Sequence, residues 1–280
     1  MSDGKIAVII LTKDEEIHIS RAISSVRDHV DEIHVIDCYS KDNTVPIAEK
    51  EGAYVHKRPW VSYSDQLNWA ISHLSEDINW VLRLDADEYL ASGVDLRAEI
   101  KSHILTCPHV QGILCLRLMI FKGKILKHGG MNEKPVLRLF RRKGAVCDNR
   151  LVDEHIHIDG IIRTGQIRLI DHDLKGMPFW IEKHKRYADL EARQYLKDCK
   201  MPWQNTIVRN QQQFVKRSMY YKLPPFIRPI LYFMFRYFVQ AGFLDGYSGL
   251  NYAYRQALWY RLLIDVRILS LRRKCKKTND

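Results

Sequence analysis

The sequence predicts an α/β fold. A doubly wound, mostly parallel sheet is expected over residues 1–175, followed by a helical, basic and aromatic region over residues 176–280. Unbroken β-branched runs recur between residues 5 and 85, which is how strands buried on both faces read. Helical stretches long enough for a crossover separate them. Beyond residue 175 strand-like runs give way to helical, Lys/Arg-rich and aromatic segments.

The first strand is "KIAVIIL" (5–11). Thr12 and Glu15 then match a capping box, and Ile19, Ala22, Ile23, Val26 and Val30 recur at helical spacing. "EIHVID" (32–37) is the second strand. Pro46 sits early in a short helix that ends near Gly52. "AYVHKR" (53–58) is the third strand, "SYSDQLNWAISHL" (62–74) a helix, and "NWVLRLD" (79–85) the fourth strand. From 110 to 175 shorter strand-like pieces predict a mixed, partly antiparallel completion of the sheet.

Composition bounds the partners. The chain has 280 residues, is 46% hydrophobic and carries a net charge of +11. Residues 176–280 hold 20 Lys+Arg against 7 Asp+Glu, while residues 1–175 hold 24 against 26. The positive charge therefore belongs to the C-terminal third, which suits an anionic membrane surface or nucleic acid. The start, "MSDGKIAVIILTKDEE", does not read as a signal peptide. The six cysteines form no CxxC pair, which fits a reducing cytoplasm better than a disulfide framework or a zinc site.

In doubly wound sheets, ligands bind beyond the carboxyl ends of the strands. Polar clusters stand there at Thr12-Lys13-Asp14, Asp37 and Asp85-Ala86-Asp87. An Asp-x-Asp triplet alone is often a solvated turn. At a buried strand end beside Asp37, it reads instead as a site for Mg²⁺ or Mn²⁺, which take oxygen ligands and share their shell with phosphates. Glu88, one residue further on, faces away from Asp87 if strand geometry persists.

"VIILTKDEE", "IHVIDCYSKDNTVPIAEKEGA" and "WVLRLDADEYL" resemble the nucleotide-sugar-binding half of family 2 glycosyltransferases with the GT-A fold. "RLVDEHIHIDG", "LIDHDLKGMPFWIEKHKRYADLEA" and "GFLDGYSGLNYAYRQALWY" are similar to bacterial members that build lipopolysaccharide core, capsule or exopolysaccharide. The resemblance implies that Thr12 and the start of the next helix line the nucleotide pocket. Asp14 stands where Asn is common. Asp37 would bind the base, Asp85 the ribose or the metal, and Asp87 the metal at the diphosphate. Gln66, after the third strand, would touch the nucleotide or simply pack. Cys38-Tyr39 replaces a smaller pair before Ser40.

Inverting transfer of a sugar needs a carboxylate base for the acceptor hydroxyl. In "LVDEH" that base would be Glu154, with Asp153 as the substitute. His172, between Asp171 and Asp173, would approach the diphosphate and its cation. His155 and His157 share a face and could hold a metal, although packing is the commoner role for such histidines. Lys183, His184, Lys185 and Arg186 would contact phosphate or form a solvated helix face.

The apolar stretch 220–244 is interrupted by Arg228, Arg236 and prolines 224, 225 and 229. Arginine at mid-bilayer is costly, so a spanning helix is rejected. Cations interleaved with Tyr, Phe and Trp fit an interfacial helix pair, with the rings at the headgroups. The expected protein is thus a divalent-cation-dependent glycosyltransferase, peripheral on the inner face of the membrane. Its partners would be a nucleotide-sugar donor and a glycan or lipid-linked glycan acceptor, with no nucleic acid. A nucleotidyltransferase is the alternative enzyme, but "TKDEE" is not the Gly-rich basic loop it needs. A nucleic-acid-binding protein would leave the acidic strand ends unexplained.

Overall fold

A computed structural model describes residues 4–149, 154–200 and 220–277. Two compact units emerge: residues 1–125 with 133–175, and residues 126–132 with 176–280.

The first unit is built on one sheet. Its strands are β1 (Lys5–Thr12), β2 (Glu32–Asp37), β3 (Tyr54–Lys57), β4 (Ile78–Asp85), β5 (Glu88–Leu90), β6 (Val110–Phe121), β7 (Lys124–Leu126), β8 (Lys134–Arg141) and β11 (Ile161–Asp171). The short strands β9 (Val146–Cys147) and β10 (Ile156–His157) pair separately. The main order is β3-β2-β1-β4-β8-β6-β11-β5. Strands β3, β2, β1 and β4 run parallel, as do β6 and β11. Strand β8 runs antiparallel between β4 and β6, and β5 antiparallel beside β11. The sheet is therefore the mixed, largely parallel one that the sequence predicts. Beyond residue 110, however, β6 and β11 are its longest strands, at 12 and 11 residues.

Helices α1 (Ile19–Val26) and α3 (Tyr63–His73) take opposite faces. Successive strand residues point to opposite sides. Ile6, Val8 and Ile10 of β1 pack with Ile19, Ala22, Ile23 and Val26 of α1. Ala7 and Ile9 pack with Leu67, Ala70 and Ile71 of α3. Each large side chain fully buried in this way contributes roughly 1.5–3 kcal/mol. Helices α2 (Thr44–Lys50) and α4 (Leu96–Thr106) complete the unit. Ser62 and Asp95 cap α3 and α4 by accepting backbone N–H groups, worth about 1 kcal/mol each.

The capping box expected of Thr12 and Glu15 does not form. Helix α1 starts four residues later than Glu15, at Ile19, and its N-cap His18 makes no side-chain cap. The Thr12 hydroxyl donates to Asp37 at 2.9 Å, and the Glu15 N–H donates to the Thr44 hydroxyl at 2.7 Å. Both capping groups are drawn across to the neighbouring strand-end loop.

The second unit is helical: α5 (Gly176–Lys200), α6 (Ile227–Met234), α7 (Gly246–Ala253) and α8 (Tyr260–Lys277). Helices α6 and α7 each run on into a wide i→i+5 turn, Phe235–Val239 and Tyr254–Trp259. Ala188 and Ala192 of α5 let Tyr260, Ile264 and Ile268 of α8 approach closely. Arg228 and Arg236 are not surface cations as the sequence suggested. Arg228 is buried against Asp265, with Nε donating at 2.9 Å, and lies over the Tyr221 ring. Arg236 is buried and donates to the Gly129 carbonyl at 2.6 Å. Among the described residues, no helix is long and apolar enough to cross a membrane.

Candidate active site

The parallel register brings three strand ends to one level. Thr12 pairs with Asp37 and Leu11 with Asp85, so β1, β2 and β4 deliver their last residues together. The loops that follow are zipped to each other. Lys13 Nζ donates to the Cys38 and Tyr39 carbonyls, Asp14 N–H donates to the Ser40 hydroxyl, and Lys41 N–H donates to Asp14 Oδ1 at 2.7 Å. Asp37 is fully buried and accepts from Thr12 Oγ1, Ser40 N–H and Ser40 Oγ. Two non-glycine residues of this zipper adopt left-handed backbone, Asp14 at φ 54° and Tyr39 at φ 56°. Asp tolerates that region; a bulky ring does so at a cost of roughly 1–2 kcal/mol.

Asp85 and Asp87 have different surroundings. Asp85 accepts from Tyr63 Oη at 3.0 Å and from Arg138 Nη2 at 2.7 Å, with Arg83 at 3.5 Å. Burial alone would raise its carboxyl, but Arg138 and Arg83 outweigh that and hold it well below the usual carboxylate range. Arg138 also donates to Glu88 at 2.6 Å, and both of these side chains are buried. Burial raises the Glu88 carboxyl despite Arg138, and the Asp85 charge adds to the rise. Glu88 supports the turn as well, accepting the Asp85 N–H at 3.3 Å.

Asp87 is half-buried and lies opposite His172, because Glu88 pairs with Asp171 in the antiparallel β5–β11 ladder. The His172 N–H donates to the Asp87 carbonyl at 3.0 Å. Directly opposed residues share a face, so both side chains leave the ladder on one side. Arg21 braces the pair. Its Nη2 donates to the Asp87 and His172 carbonyls, and its Nη1 lies 3.3 Å from His172 Nδ1. Burial, then Arg21 and His18, push the His172 imidazole down, which favours its neutral form. A neutral imidazole and a half-exposed carboxylate on one face fit a divalent cation that completes its shell from a ligand. Among the described residues, no cluster of three metal-binding side chains is preassembled.

Other expected residues sit elsewhere in the unit. Gln66 is buried on α3, donates to the Pro59 carbonyl at 2.6 Å and leaves its Oε1 without a partner. Glu154 is half-buried just before β10, and Asp153 lies outside the described residues. Burial pushes the nearby Cys147 thiol up to about 12; Arg83 opposes this, while Asp148 and Glu154 add to it. His155 and His157 are both tied to Asp148, one through its N–H at 2.8 Å and the other through Nε2 at 3.1 Å. In the helical unit, His184 stacks on Trp180 and Lys185 pairs with Glu182.

Arg21, Arg117 and Arg138 were not singled out by sequence reasoning. Arg117 stands 3.9 Å from Glu88 and 3.8 Å from Asp171. A strand with two acids at its buried end needs counter-ions, and that need was the available signal. The segment 172–175 also closes on the loop after β1. His18 Nε2 accepts the Leu174 N–H at 2.8 Å, and Lys175 donates to Glu15 at 2.5 Å. Segments far apart in sequence thus build a single rim.

Residues 7–102 match the family model described as glycosyl transferase family 2. A Rickettsia conorii protein described as an uncharacterized glycosyltransferase is 45% identical over 153 residues, covering 52% of this chain and 51% of that protein. One from Rickettsia prowazekii with the same description is 44% identical over 179 residues, covering 60% and 58%. The chain thus spans about half the length of the curated relatives it matches. A crystal structure of glucosyl-3-phosphoglycerate synthase from Mycobacterium tuberculosis with Mn²⁺, uridine diphosphate and glucosyl-3-phosphoglycerate superposes with a TM-score of 0.47. It is 18% identical and covers 71% of this chain and 81% of that one. Residues 7–102 are thus similar to glycosyl transferase family 2.

Proposed function

We propose that this protein is an inverting glycosyltransferase that moves a sugar from a nucleotide-sugar donor to a bacterial surface glycan. The acceptor would be lipopolysaccharide, capsule or exopolysaccharide, in a lipid-linked form, met at the inner face of the membrane. The observation that carries the reading is the strand-end rim: Thr12, Asp37 and Asp85 held at one level inside the family segment, with Asp87 beside them.

The charges on this rim support a cation requirement. Asp85, Asp87, Glu88 and Asp171 stand among Arg21, Arg83, Arg117 and Arg138, so the ionic side chains nearly cancel. A departing nucleoside diphosphate therefore finds little net positive charge among these side chains. Asp87 and His172 would hold Mn²⁺ or Mg²⁺, with Asp85 as an outer ligand, and the cation would neutralise the leaving diphosphate. Asp14 and Asp37 would shape the base pocket through the zipped loops, with Gln66 packing behind. Glu154, or Asp153, would take the acceptor hydroxyl's proton. The acceptor oxygen then bonds to the anomeric carbon as the bond to the diphosphate oxygen breaks.

The test is calorimetric titration of uridine and guanosine diphosphates with and without Mn²⁺. The wild-type chain should bind one of them in a metal-dependent way, and Asp87→Ala should lose that dependence. Unchanged binding by the variant would overturn the assignment of Asp87. Glu154→Gln should keep binding and lose transfer; normal turnover would move the base to Asp153. Tight, salt-sensitive RNA binding with no nucleotide binding would favour the nucleic-acid reading instead.

A further inference from the structure

Helix α6 and the turn after it are inside out for a protein in water. The segment Ile227–Val239 buries its two arginines, Arg228 and Arg236. It exposes Ile227, Ile230, Met234, Phe235, Phe238 and Val239, each between 46% and 73% accessible. These recur at helical spacing and form one continuous stripe. Exposed Phe243, Leu244 and Leu250 extend it past the next turn. Soluble monomers rarely leave so many large apolar groups together. Burying the cations instead costs desolvation, which Asp265 and the Gly129 carbonyl offset.

The charges around the stripe identify what covers it. Between residues 220 and 273 the only acids are Asp245 and Asp265, and both are buried, at 3% and 1%. Exposed polar charge there comes from Lys222, Arg272 and Arg273. Lys222 and Arg272 line a cavity of about 240 Å³, floored by Tyr195, Tyr221 and Asp265, whose rim includes the exposed Leu223. A second copy of this chain pairing face to face would set these cations against themselves. An anionic surface with an apolar interior matches both features. The 13 residues from 227 to 239 reach about 20 Å as a helix, too short to span a bilayer and suited to lying along it.

We propose that the stripe Ile227–Val239 seats this protein on an anionic phospholipid bilayer, with a lipid phosphate held in the cavity between Lys222 and Arg272. The inference deepens the membrane part of the proposed function and does not depend on glycosyl transfer. The buried arginines act as the inner anchor of the stripe. They tie the unexposed side of the segment to Asp265 and Gly129, so the apolar side is presented as one surface.

Flotation of the full chain with vesicles tests this. Vesicles of phosphatidylcholine alone are compared with vesicles holding about 30% phosphatidylglycerol. The wild-type chain should float with the anionic vesicles. Ile230→Asp with Phe238→Asp should lower the floated fraction at least about tenfold. Lys222→Ala with Arg272→Ala, which leaves the stripe intact, should weaken binding to anionic vesicles by about fivefold per cation and remove the preference for them. Nucleoside diphosphate binding should be unchanged in both variants, which separates failure here from failure of the glycosyltransferase reading. Wild-type chain that stays in solution, or either variant floating like wild type, would overturn the proposal. So would a wild-type dimer in sedimentation that the aspartates convert to monomer without any vesicle binding.

Discussion

At the strand ends of the first unit, one guanidinium, Arg138, serves two carboxylates, Asp85 and Glu88. In the helical unit, one carboxylate, Asp265, serves Arg228 and the Phe226 N–H. The first arrangement has an ionic surplus close at hand: Arg83, Arg117 and Asp171 lie within 4 Å of its acids or its neighbours. The second is a matched pair, with tyrosine rings over Arg228 and both of its charged side chains buried. Shared and surplus charge suits a place where a ligand's charge arrives and departs. Matched charge suits a joint that only has to hold.

Arg138→Ala attacks the shared arrangement and carries the largest expected effect. The buried Glu88 and the half-buried Asp85 lose their common cation, which should cost about 3 kcal/mol or more in urea unfolding at neutral pH. The sign of its pH dependence follows from Asp85. A carboxyl held below its unfolded value stabilises the fold above about pH 4, and that stability is lost as the pH falls through the folded value. Glu88, raised by burial, runs the opposite way and favours the fold while protonated. The gap between wild type and variant should therefore narrow below about pH 4. A gap that stays constant with pH would remove Asp85 from the account.

Asp265→Ala attacks the matched arrangement. Arg228 would be left buried without its partner, at a cost of about 3 kcal/mol. Here the sharpening measurement is ligand binding: nucleoside diphosphate affinity should not move, whereas Arg138→Ala should abolish it. Loss of nucleotide binding in Asp265→Ala would erase the distinction between the two regions.

The smallest expected effect is a gain. Tyr39 holds φ 56° with its ring half exposed. Tyr39→Gly should relieve about 1 kcal/mol of backbone strain, less the extra chain entropy that glycine loses on folding. A midpoint in urea that rises without a change of slope would show it. If nucleotide affinity falls at the same time, the strained ring belongs to the base pocket.

The parallel half of the sheet was readable because strands buried on both faces must be apolar throughout. The runs around Ile9, Val35 and Val81 can be nothing else in water. The strand-end rim was readable for the same reason, since polar residues can begin only where such strands leave the core. Arg138 was not. In "PVLRLFRR" an arginine at an alternate position reads as the wet face of an edge strand. Pairing of β8 on both sides, with β4 and β6, is what buries it. The start of α1 was misread because Thr12 and Glu15 spell a cap locally, while Asp37 at the end of β2 and Thr44 at the start of α2 compete for the same groups. Arg228 and Arg236 were misread because periodicity tells which residues share a face, not which face meets water.

The helical unit borrows residues 126–132 from the middle of the sheet unit's sequence. The N–H groups of Lys127 and His128 donate to one oxygen of Asp245, which lies 118 and 117 residues further along the chain. At a synthesis rate of about 5–20 residues per second, that acceptor emerges roughly 6–24 s after the donors. The helical unit is therefore finished on a clock set by translation. A chain trimmed anywhere before Asp245 would carry residues 126–132 as a piece still waiting for its partner.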